Sequence, residues 1–172
     1  MNNHGHPLIR LLRHRWRDAT DARRAIGDDG LRDLQARVAE SEREHTGEIR
    51  ICVEGGLPTS YLLRRATARE RAVTLFGKLR VWDTQDNNGV LIYLLLADHR
   101  IEIIADRGLN ALVPDTQWAA LAVQMAAAFR ENHFAQGLAE AVAAVHTLLV
   151  QHFPATAGAP NPNELPDAVV LL

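Results

Sequence analysis

One uninterrupted apolar run in the middle of the chain limits the folds that it can adopt. Residues 89–97 read GVLIYLLLA, and this stretch is far shorter than the roughly 20 residues that span a bilayer. An apolar run without alternation is typical of a central strand with both faces covered. The Asp98-His99 pair then predicts a two-residue turn, and residues 100–106 return as an antiparallel strand. The sequence therefore predicts a hairpin within a sheet that carries helices on both faces.

Helix and strand patterns flank this hairpin. The Asp28-Asp29-Gly30 segment predicts a capped helix start, and Thr46-Gly47 predicts its end, with Gly47 in a left-handed cap. Residues 48–54 alternate as a strand, and residues 61–79 continue as a helix. Two amphipathic helices follow the hairpin. The first is marked by Trp118, Leu121, Ala122, Met125 and Phe129, and the second by Phe134, Leu138, Ala141, Val142, Val145, Leu148 and Leu149.

The order of these elements predicts the fold class. A strand–helix–strand crossover makes a parallel pair of strands, and the hairpin makes an antiparallel pair. We therefore predict an α/β protein, a three-layer α/β/α sandwich on a small mixed β-sheet. We expect this domain to span residues 28–153. A basic amphipathic leader, residues 1–27, precedes it, and a C-terminal tail, residues 154–172, follows it.

Composition excludes several classes of protein. A length of 172 residues is enough to bury a core, and the net charge of −2 gives no general attraction to nucleic acid. The single cysteine, Cys52, cannot form an intramolecular disulfide, and its apolar strand predicts a buried thiol. The N-terminal sequence lacks the apolar stretch of a signal peptide. We expect a cytoplasmic protein, or one that lies peripherally at the inner face of the membrane.

The leader carries the feature that favours a membrane. Six arginines surround the apolar residues Leu8, Ile9, Leu11, Leu12 and Trp16. A basic amphipathic helix of this kind binds anionic membrane surfaces, so we predict peripheral membrane contact through residues 8–24. Packing of the leader on its own domain is an equally good alternative.

Motifs of known catalytic machinery are missing from the sequence. It contains no glycine-rich phosphate loop, no GxSxG, no HExxH and no paired CxxC. No two of the eight histidines lie four residues apart, so no helix presents a histidine pair. The sequence identifies no catalytic residue and no organic cofactor.

Oxygen-bearing side chains do flank the predicted hairpin at one end. Asp83, Asp86 and Asn88 precede its first strand, and Asp106 follows its second. Because antiparallel strands bring the start of one beside the end of the other, these residues converge, and Asp115 follows closely in sequence. Carboxylate and amide oxygens are the ligands of Ca²⁺ and Mg²⁺. We predict a site for one of these ions at Asp83, Asp86, Asn88, Asp106 and Asp115.

The same residues also have structural interpretations. The segment 86–89, Asp-Asn-Asn-Gly, forms turns readily. Asp115 suits a helix N-cap, and Asp106 with Arg107 suits an exposed ion pair. Turns, caps and ion pairs therefore remain an alternative account of the predicted cation site.

Three stretches of the sequence resemble the TPM-domain family. They are HTGEIRICVE, VWDTQDNNGVLIYLLLADHRIEIIADRG and DTQW…AFRENHFAQGL. The family takes its name from a plant thylakoid lumen protein, a photosystem II repair protein and a nematode receptor modulator. The resemblance covers residues 31–153. The DRG turn, DTQW and the NELPD tail resemble a soluble bacterial branch that lacks the signal peptide and membrane anchor of many relatives.

The resemblance implies an α/β/α sandwich with a divalent-cation site in an acidic cleft at the hairpin edge. By motif position, Asn88 stands where relatives have Asp or Asn, and Asp115 where many have Asp. Asn110 stands where many relatives have Glu, which removes a charge and implies weak binding. Asp106 stands where glycine is common and can restore that charge.

Two functions follow from the resemblance and the candidate residues. The one we favour is a TPM-domain protein of unassigned activity that binds a divalent cation and assists a complex with an unidentified protein partner. The alternative is a weak metal-assisted acid phosphatase, an activity proposed for some plant relatives. The candidate cleft offers carboxylates and amides but no Ser, Cys or His. A phosphatase would therefore need an Asp nucleophile or metal-bound water.

Overall fold

The structure is a computed structural model that describes His14 and residues 17–172, apart from several side chains of the helix that follows Pro114. Helices and strands alternate around one sheet. In chain order they are α1 (Ala19–Ile26), α2 (Asp28–Ser41), β1 (Ile49–Glu54), α3 (Thr59–Leu63), α4 (Ala68–Lys78), β2 (Val90–Leu95), a 3₁₀ turn (Leu96–Asp98), β3 (Arg100–Ala105), α5 (Arg107–Asn110), α6 (Asp115–Arg130), α7 (Phe134–His152) and β4 (Val170–Leu171).

The sheet has four strands in the order β3-β2-β1-β4. β1 runs parallel to β2, with Ile49 opposite Val90, and β2 runs antiparallel to β3, with Val90 opposite Ala105. β4 runs parallel to β1 and pairs through Cys52 and Val53. The predicted mixed sheet, with a parallel pair and an antiparallel hairpin, is confirmed.

Each face of the sheet packs on its own set of helices. On the first face, the buried side chains of Ile51 and Ile92 belong to a core that includes residues of α1, α2, α6 and α7. On the second face, Leu91 and Tyr93 pack with residues of α4 and of the segment before it. Alternation along a strand sends neighbouring side chains to opposite faces. The three-layer α/β/α architecture predicted from the sequence is therefore confirmed.

The apolar stripe of α7 supplies much of the first core. All seven of its predicted positions are buried, and they are Phe134, Leu138, Ala141, Val142, Val145, Leu148 and Leu149. A 3.6-residue period places such residues on one face of a helix. Burying each large aliphatic side chain contributes about 1.5–3 kcal/mol, so this stripe is a principal source of the stability of the domain.

The second core contains a buried ionic cluster. The Arg71 guanidinium donates hydrogen bonds to both carboxylate oxygens of Glu54, and the Tyr93 hydroxyl donates another over 2.6 Å. Glu54 is 3% exposed and Arg71 8% exposed. Buried charges are tolerated when they are paired and hydrogen-bonded in this way. The cluster joins β1, α4 and β2 across the second face.

Two predictions for the middle of the chain were wrong. The continuous helix over residues 61–79 is two helices, α3 and α4, separated where Arg65 adopts a φ of 54°. The two-residue turn at Asp98-His99 is a longer connection, because β2 ends at Leu95 and a 3₁₀ turn follows it. Thr67 caps α4 through a reciprocal bond with Glu70, a signal within the predicted helix that marks a new start.

The predicted ends of the helix before β1 also differ. Gly27, without a side-chain cap, precedes α2, and α2 ends at Ser41 rather than at Gly47. Gly47 does not adopt a positive φ. A Cβ at Gly47 would lie 2.5 Å from Leu149 Cδ2, so close packing against α7 accounts for this glycine.

The C-terminal tail returns to the sheet. The Leu172 amide donates to the Val53 carbonyl over 3.0 Å, and the Gly55 amide donates to the Leu172 carbonyl over 2.9 Å. Before that strand, Leu165 is buried in the second core. We call residues 161–172 the strap, because they cross the edge of β1 and complete the sheet there.

The described part of the leader packs on its own domain. Ala22 and Ile26 of α1 are buried in the first core, and His14 is 2% exposed. The His14 Nδ1 atom accepts a hydrogen bond from the Leu57 amide over 2.9 Å. Residues 8–13, 15 and 16 of the predicted membrane segment lie outside the described residues. No helix in the part of the chain that the structure describes has the length and apolar character to cross a bilayer.

Candidate functional site

The candidate site lies where β2 begins and β3 ends. The Asp106 amide donates to the Gly89 carbonyl over 2.8 Å, and the Gly108 amide donates to the Asn87 carbonyl over 2.9 Å. A Cβ at Gly108 would lie 2.5 Å from the Asn87 carbonyl oxygen and 2.6 Å from that of Asp86. Only glycine allows the two loops to approach this closely, so the sequence itself specifies their contact.

Asn88 is the buried centre of the loop before β2. The residue is 0% exposed, and its backbone amide donates to Thr84 Oγ1 over 3.1 Å. Its side-chain amide donates to Thr46 Oγ1 over 3.2 Å. Its Oδ1 atom is buried without a hydrogen-bond partner among the described residues. Such an oxygen is an acceptor with unused capacity.

Asp86 lies beside Asn88 through a shared partner. The Thr46 hydroxyl, which accepts from Asn88, donates to Asp86 Oδ2 over 3.3 Å. Thr46 lies in the turn before β1, and the parallel pairing of β1 with β2 brings that turn to the start of β2. Asp86 itself is exposed, so its carboxylate can turn toward a ligand at small cost.

Asp106 provides the second buried oxygen. One carboxylate oxygen caps α5 by accepting from the Arg107 amide over 2.7 Å. The other, Oδ2, is buried and has no hydrogen-bond partner within the described chain. The Arg107 side chain donates instead to Asn87 Oδ1 over 3.1 Å. The structure therefore gives Asp106 a capping role and leaves one of its oxygens available.

The remaining predicted ligands are less closely associated with this centre. Asp83 forms an ion pair with Arg80, and its side chain is 45% exposed. Asp115 begins α6, but its side chain lies outside the described residues. Among the described side chains, no three His, Cys, Asp or Glu residues are grouped closely enough to hold a metal ion. The five-residue cation site stays a prediction.

Contacts at this edge also involve residues that sequence analysis did not select. Thr46 and Thr84 position Asn88 through their hydroxyls. The strap residue Glu164 accepts a hydrogen bond from the Gln85 amide over 3.0 Å. The TGEI motif before β1 was a signal for Thr46, whereas no pattern in the tail connects Glu164 with a loop 79 residues away.

A second polar cluster lies between α2 and α7. The Ser41 hydroxyl lies 2.8 Å from His45 Nε2 and 3.0 Å from His146 Nδ1. Because His45 Nδ1 lies 3.0 Å from the Gly47 carbonyl, which can only accept, Nδ1 carries the proton and Nε2 accepts from Ser41. Ser41 then accepts from His146 Nδ1. An open cavity of about 170 Å³ adjoins this cluster.

Burial sets the protonation of His45. It lowers the pKa of His45 to about 4, with the neighbouring His146 as a further cause, although the bond to the Gly47 carbonyl opposes the shift. His45 is therefore neutral at neutral pH. These hydrogen bonds connect α2, the turn before β1 and α7, so we assign the cluster a structural role.

Comparisons with known proteins identify the family. The sequence pattern of the TPM domain matches residues 19–148. Among solved structures, the chain is similar to the NMR structure of BA42 protein from the psychrophilic bacterium Bizionia argentinensis. That protein is 25% identical, and the alignment covers 84% of this chain and 93% of that chain with a TM-score of 0.73. No curated protein matches the chain. Since the family pattern spans most of its length, this chain belongs to the TPM-domain family.

Proposed function

We propose that this TPM-domain protein binds a divalent cation at the hairpin edge and, through that site, assists a protein complex rather than catalysing a reaction. The observation that carries the proposal is a pair of buried oxygens, Asn88 Oδ1 and Asp106 Oδ2, that have no hydrogen-bond partner among the described residues. A buried acceptor without a donor costs about 1–3 kcal/mol. A hard cation coordinated by both oxygens would remove that cost.

The chemistry of the donor set fits Ca²⁺ or Mg²⁺. Both ions take carboxylate, amide and carbonyl oxygens, and Ca²⁺ needs about six to eight of them. Asp86, Asn88 and Asp106 would be the inner ligands. Asp83 would join them if it left Arg80, and Asp115 would contribute from the start of α6.

Weak affinity follows from the local charge. Arg107 is hydrogen-bonded within the site to Asn87, and Arg80 neutralises Asp83. The residue after Leu109 is Asn110 rather than an acid. Fewer negative charges lower the affinity of an oxygen site for a divalent cation, and we expect binding in the millimolar range.

A binding role is favoured over the phosphatase alternative because of how the local hydroxyls are used. Thr46 donates to Asp86 and accepts from Asn88, and Thr84 accepts from the Asn88 amide. These bonds commit both hydroxyls to positioning Asn88, so we assign them a structural role rather than that of a nucleophile. We expect the protein to act in the cytoplasm or peripherally at the inner face of a membrane, where the segment 8–24 of the leader would make the contact.

Titration of the full chain with Ca²⁺ and Mg²⁺, followed by amide NMR, tests the proposal. The first shifts should appear at residues 83–89 and 105–115. They should be lost in Asp106→Asn, which keeps an oxygen to cap α5 but removes the charge. Binding should raise stability by about 2.7 kcal/mol at a hundredfold excess of ion over Kd.

The matched control is Asp29→Asn, which removes a carboxylate that is 96% exposed on α2. Its titration should follow that of the wild type. Shifts confined to residues 40–44, or no shifts at an ion concentration of ~10 mM, would show that turns and caps fully account for the candidate residues.

A further inference from the structure

Positive charge is concentrated in the helices on the second face of the sheet. Residues 59–82, which contain α3 and α4, hold six basic residues and one acidic residue, a formal charge of +5 in a chain whose net charge is −2. Arg71 is buried with Glu54 and adds little to the surface. The other five cations are exposed, and they are Arg64, Arg65, Arg69, Lys78 and Arg80. The solvent side of α3 and α4 is therefore basic, although the whole chain is weakly acidic.

Ion pairs leave most of this charge available. Arg65 and Lys78 have no acidic partner among the described residues. The other three cations form pairs in which each arginine side chain is more than half exposed, and these pairs are Arg64–Glu70, Arg69–Glu102 and Arg80–Asp83. Solvent screens such pairs, so they contribute little free energy. An anionic surface can therefore attract all five cations.

Exposed apolar side chains lie among these cations. Leu63 at the end of α3 is 76% exposed, Val73 on α4 is 54% exposed, and Trp82 is 49% exposed. The Trp82 indole donates from Nε1 to the Gly77 carbonyl over 3.3 Å, which holds the ring at the C-terminal end of α4. A Cβ at Gly77 would meet no atom within 4 Å. Val73 and Trp82 therefore project into solvent on either side of an open position.

Helix geometry places these side chains on one surface. The Arg64 side chain donates to Glu70 Oε1 over 3.2 Å, so the end of α3 adjoins the first turn of α4. Glu70, Val73 and Gly77 follow one another at intervals of three and four residues, so they share the side of α4 that is opposite its buried positions. Trp82 extends this line through its bond to Gly77. We call the exposed side chains of residues 63–82 the α3–α4 surface.

The chemistry of the α3–α4 surface suits an anionic membrane. Arginine and lysine attract anionic headgroups, and aliphatic side chains enter the boundary between headgroups and acyl chains. Tryptophan is enriched at that depth, because its ring is amphipathic. Nucleic acid would engage the cations through its phosphates but would leave Leu63 and Val73 without a role. The combination of five cations with projecting apolar groups therefore favours lipid.

The leader enters the domain beside this surface. The Leu57 amide donates to His14 Nδ1 over 2.9 Å, and Leu57 lies two residues before α3. Residues 8–13, which belong to the predicted membrane segment, directly precede His14 in the chain. Two basic sequences with apolar residues thus meet at one side of the domain. A single flat anionic surface can contact both, which favours a membrane over an acidic protein partner.

We propose that the α3–α4 surface binds anionic phospholipid headgroups, with Leu63, Val73 and Trp82 inserted between them. This contact is additional to the one expected for residues 8–24 of the leader, and it does not require a cation at the hairpin edge. In the bound state, α3 and α4 lie between the sheet and the membrane.

Cosedimentation of the full chain with vesicles tests the proposal, with EDTA present so that the result does not depend on the cation site. Mixed vesicles of phosphatidylglycerol and phosphatidylcholine should bind the chain more strongly than phosphatidylcholine alone, and salt should weaken this binding. Lys78→Gln should lower the partition coefficient about fivefold, and Val73→Thr about threefold or more. The matched controls are Arg43→Gln, beyond α2, and Val123→Thr, on α6. Both residues are exposed and lie on the first face, so both controls should match the wild type.

Tryptophan fluorescence separates this surface from the leader. A Trp16→Phe chain retains Trp82 and the partly buried Trp118, and the mixed vesicles should shift its emission to shorter wavelength. The shift should disappear when Trp82→Phe is added. An absent shift in Trp16→Phe, or wild-type partition of both Lys78→Gln and Val73→Thr, would show that the leader alone binds lipid. That result would overturn the proposal.

Two further results would also overturn it. The first is a wild-type chain that does not sediment with the mixed vesicles. The second is binding to polyglutamate or to single-stranded DNA at the same ionic strength without binding to vesicles, which would assign the α3–α4 surface to an acidic protein or a nucleic acid. Because the substituted side chains are exposed, the variants should keep the wild-type Tm, which checks that they are folded.

Discussion

The side-chain amide of Asn88 donates a 3.2 Å hydrogen bond to the Thr46 hydroxyl, and this bond joins the loop before β2 to the turn before β1. Because the Asn88 amide nitrogen is committed to Thr46, its Oδ1 atom is fixed in place and remains without a donor among the described residues. A neutral amide at this position therefore combines a structural bond with one available oxygen. That combination makes Asn88 the most informative residue for testing the candidate site.

Replacement of Asn88 by aspartate should exchange stability for cation affinity. Asn88→Asp places a charge at a site that is 0% exposed and removes the donor to Thr46. Without cation, we expect a loss of about 1–3 kcal/mol. Ca²⁺ should then raise the Tm of the variant more than that of the wild type. The control is Gln35→Glu, which adds the same charge at an exposed position of α2 and should change neither Tm nor the Ca²⁺ response. An Asn88→Asp variant that is insensitive to Ca²⁺ would contradict the proposed ligand role.

The stripe of α7 should be sensitive to truncation. Leu138 is 0% exposed in the first core, so Leu138→Ala should lower the free energy of unfolding by about 2–5 kcal/mol. Val123 on α6 is 75% exposed, and Val123→Ala should change the free energy of unfolding by less than about 0.5 kcal/mol. The urea unfolding midpoints of the two variants measure these changes. Similar midpoints for the two variants would mean that α7 does not pack as described.

Acid should destabilise the protein through His45. Its pKa is about 4 in the folded chain and 6.5 as the ordinary value, so the unfolded chain binds a proton more readily. The contribution of neutral His45 to the free energy of unfolding is therefore fully present above about pH 6.5. It is lost as the pH falls toward 4, by up to about 3 kcal/mol. The difference in unfolding free energy between wild type and His45→Gln should shrink over this range. His133→Gln, whose side chain is 59% exposed, should run parallel to the wild type.

Much of the fold could be predicted because the clearest hydrophobic patterns depend on a single strand or helix and not on distant residues. The run 89–97 is buried throughout and supplies the inner strand β2, and Leu138, Val142 and Val145 lie on one buried face of a helix. Both patterns depend only on which face of one strand or helix is buried, and the sequence of that element alone shows it. The break between α3 and α4 depends instead on Arg65 adopting a positive φ, which helix-favouring neighbours conceal.

Long-range contacts account for what the sequence did not predict. The strap docks because Glu48 and Arg50 bond to backbone atoms more than 110 residues away, and backbone recognition leaves no pattern in the tail. At the candidate site, antiparallel pairing was enough to bring Asn87 near Gly108. The role of Thr46 required the parallel pairing of β1 with β2, whose register cannot be read from either strand alone.

The described part of the leader covers one end of the sheet. Open α/β sheets commonly bind ligands beyond the carboxyl ends of their parallel strands. Here that end is closed by the chain itself. Arg17 donates to the Leu96 carbonyl over 3.1 Å, His14 lies 3.0 Å from Asp98, and a Cβ at Gly56 would lie 2.4 Å from the His14 carbonyl oxygen. The described part of the leader therefore occupies the end of the sheet where this architecture commonly binds ligands. The candidate site lies instead at the opposite rim, at the amino ends of β1 and β2.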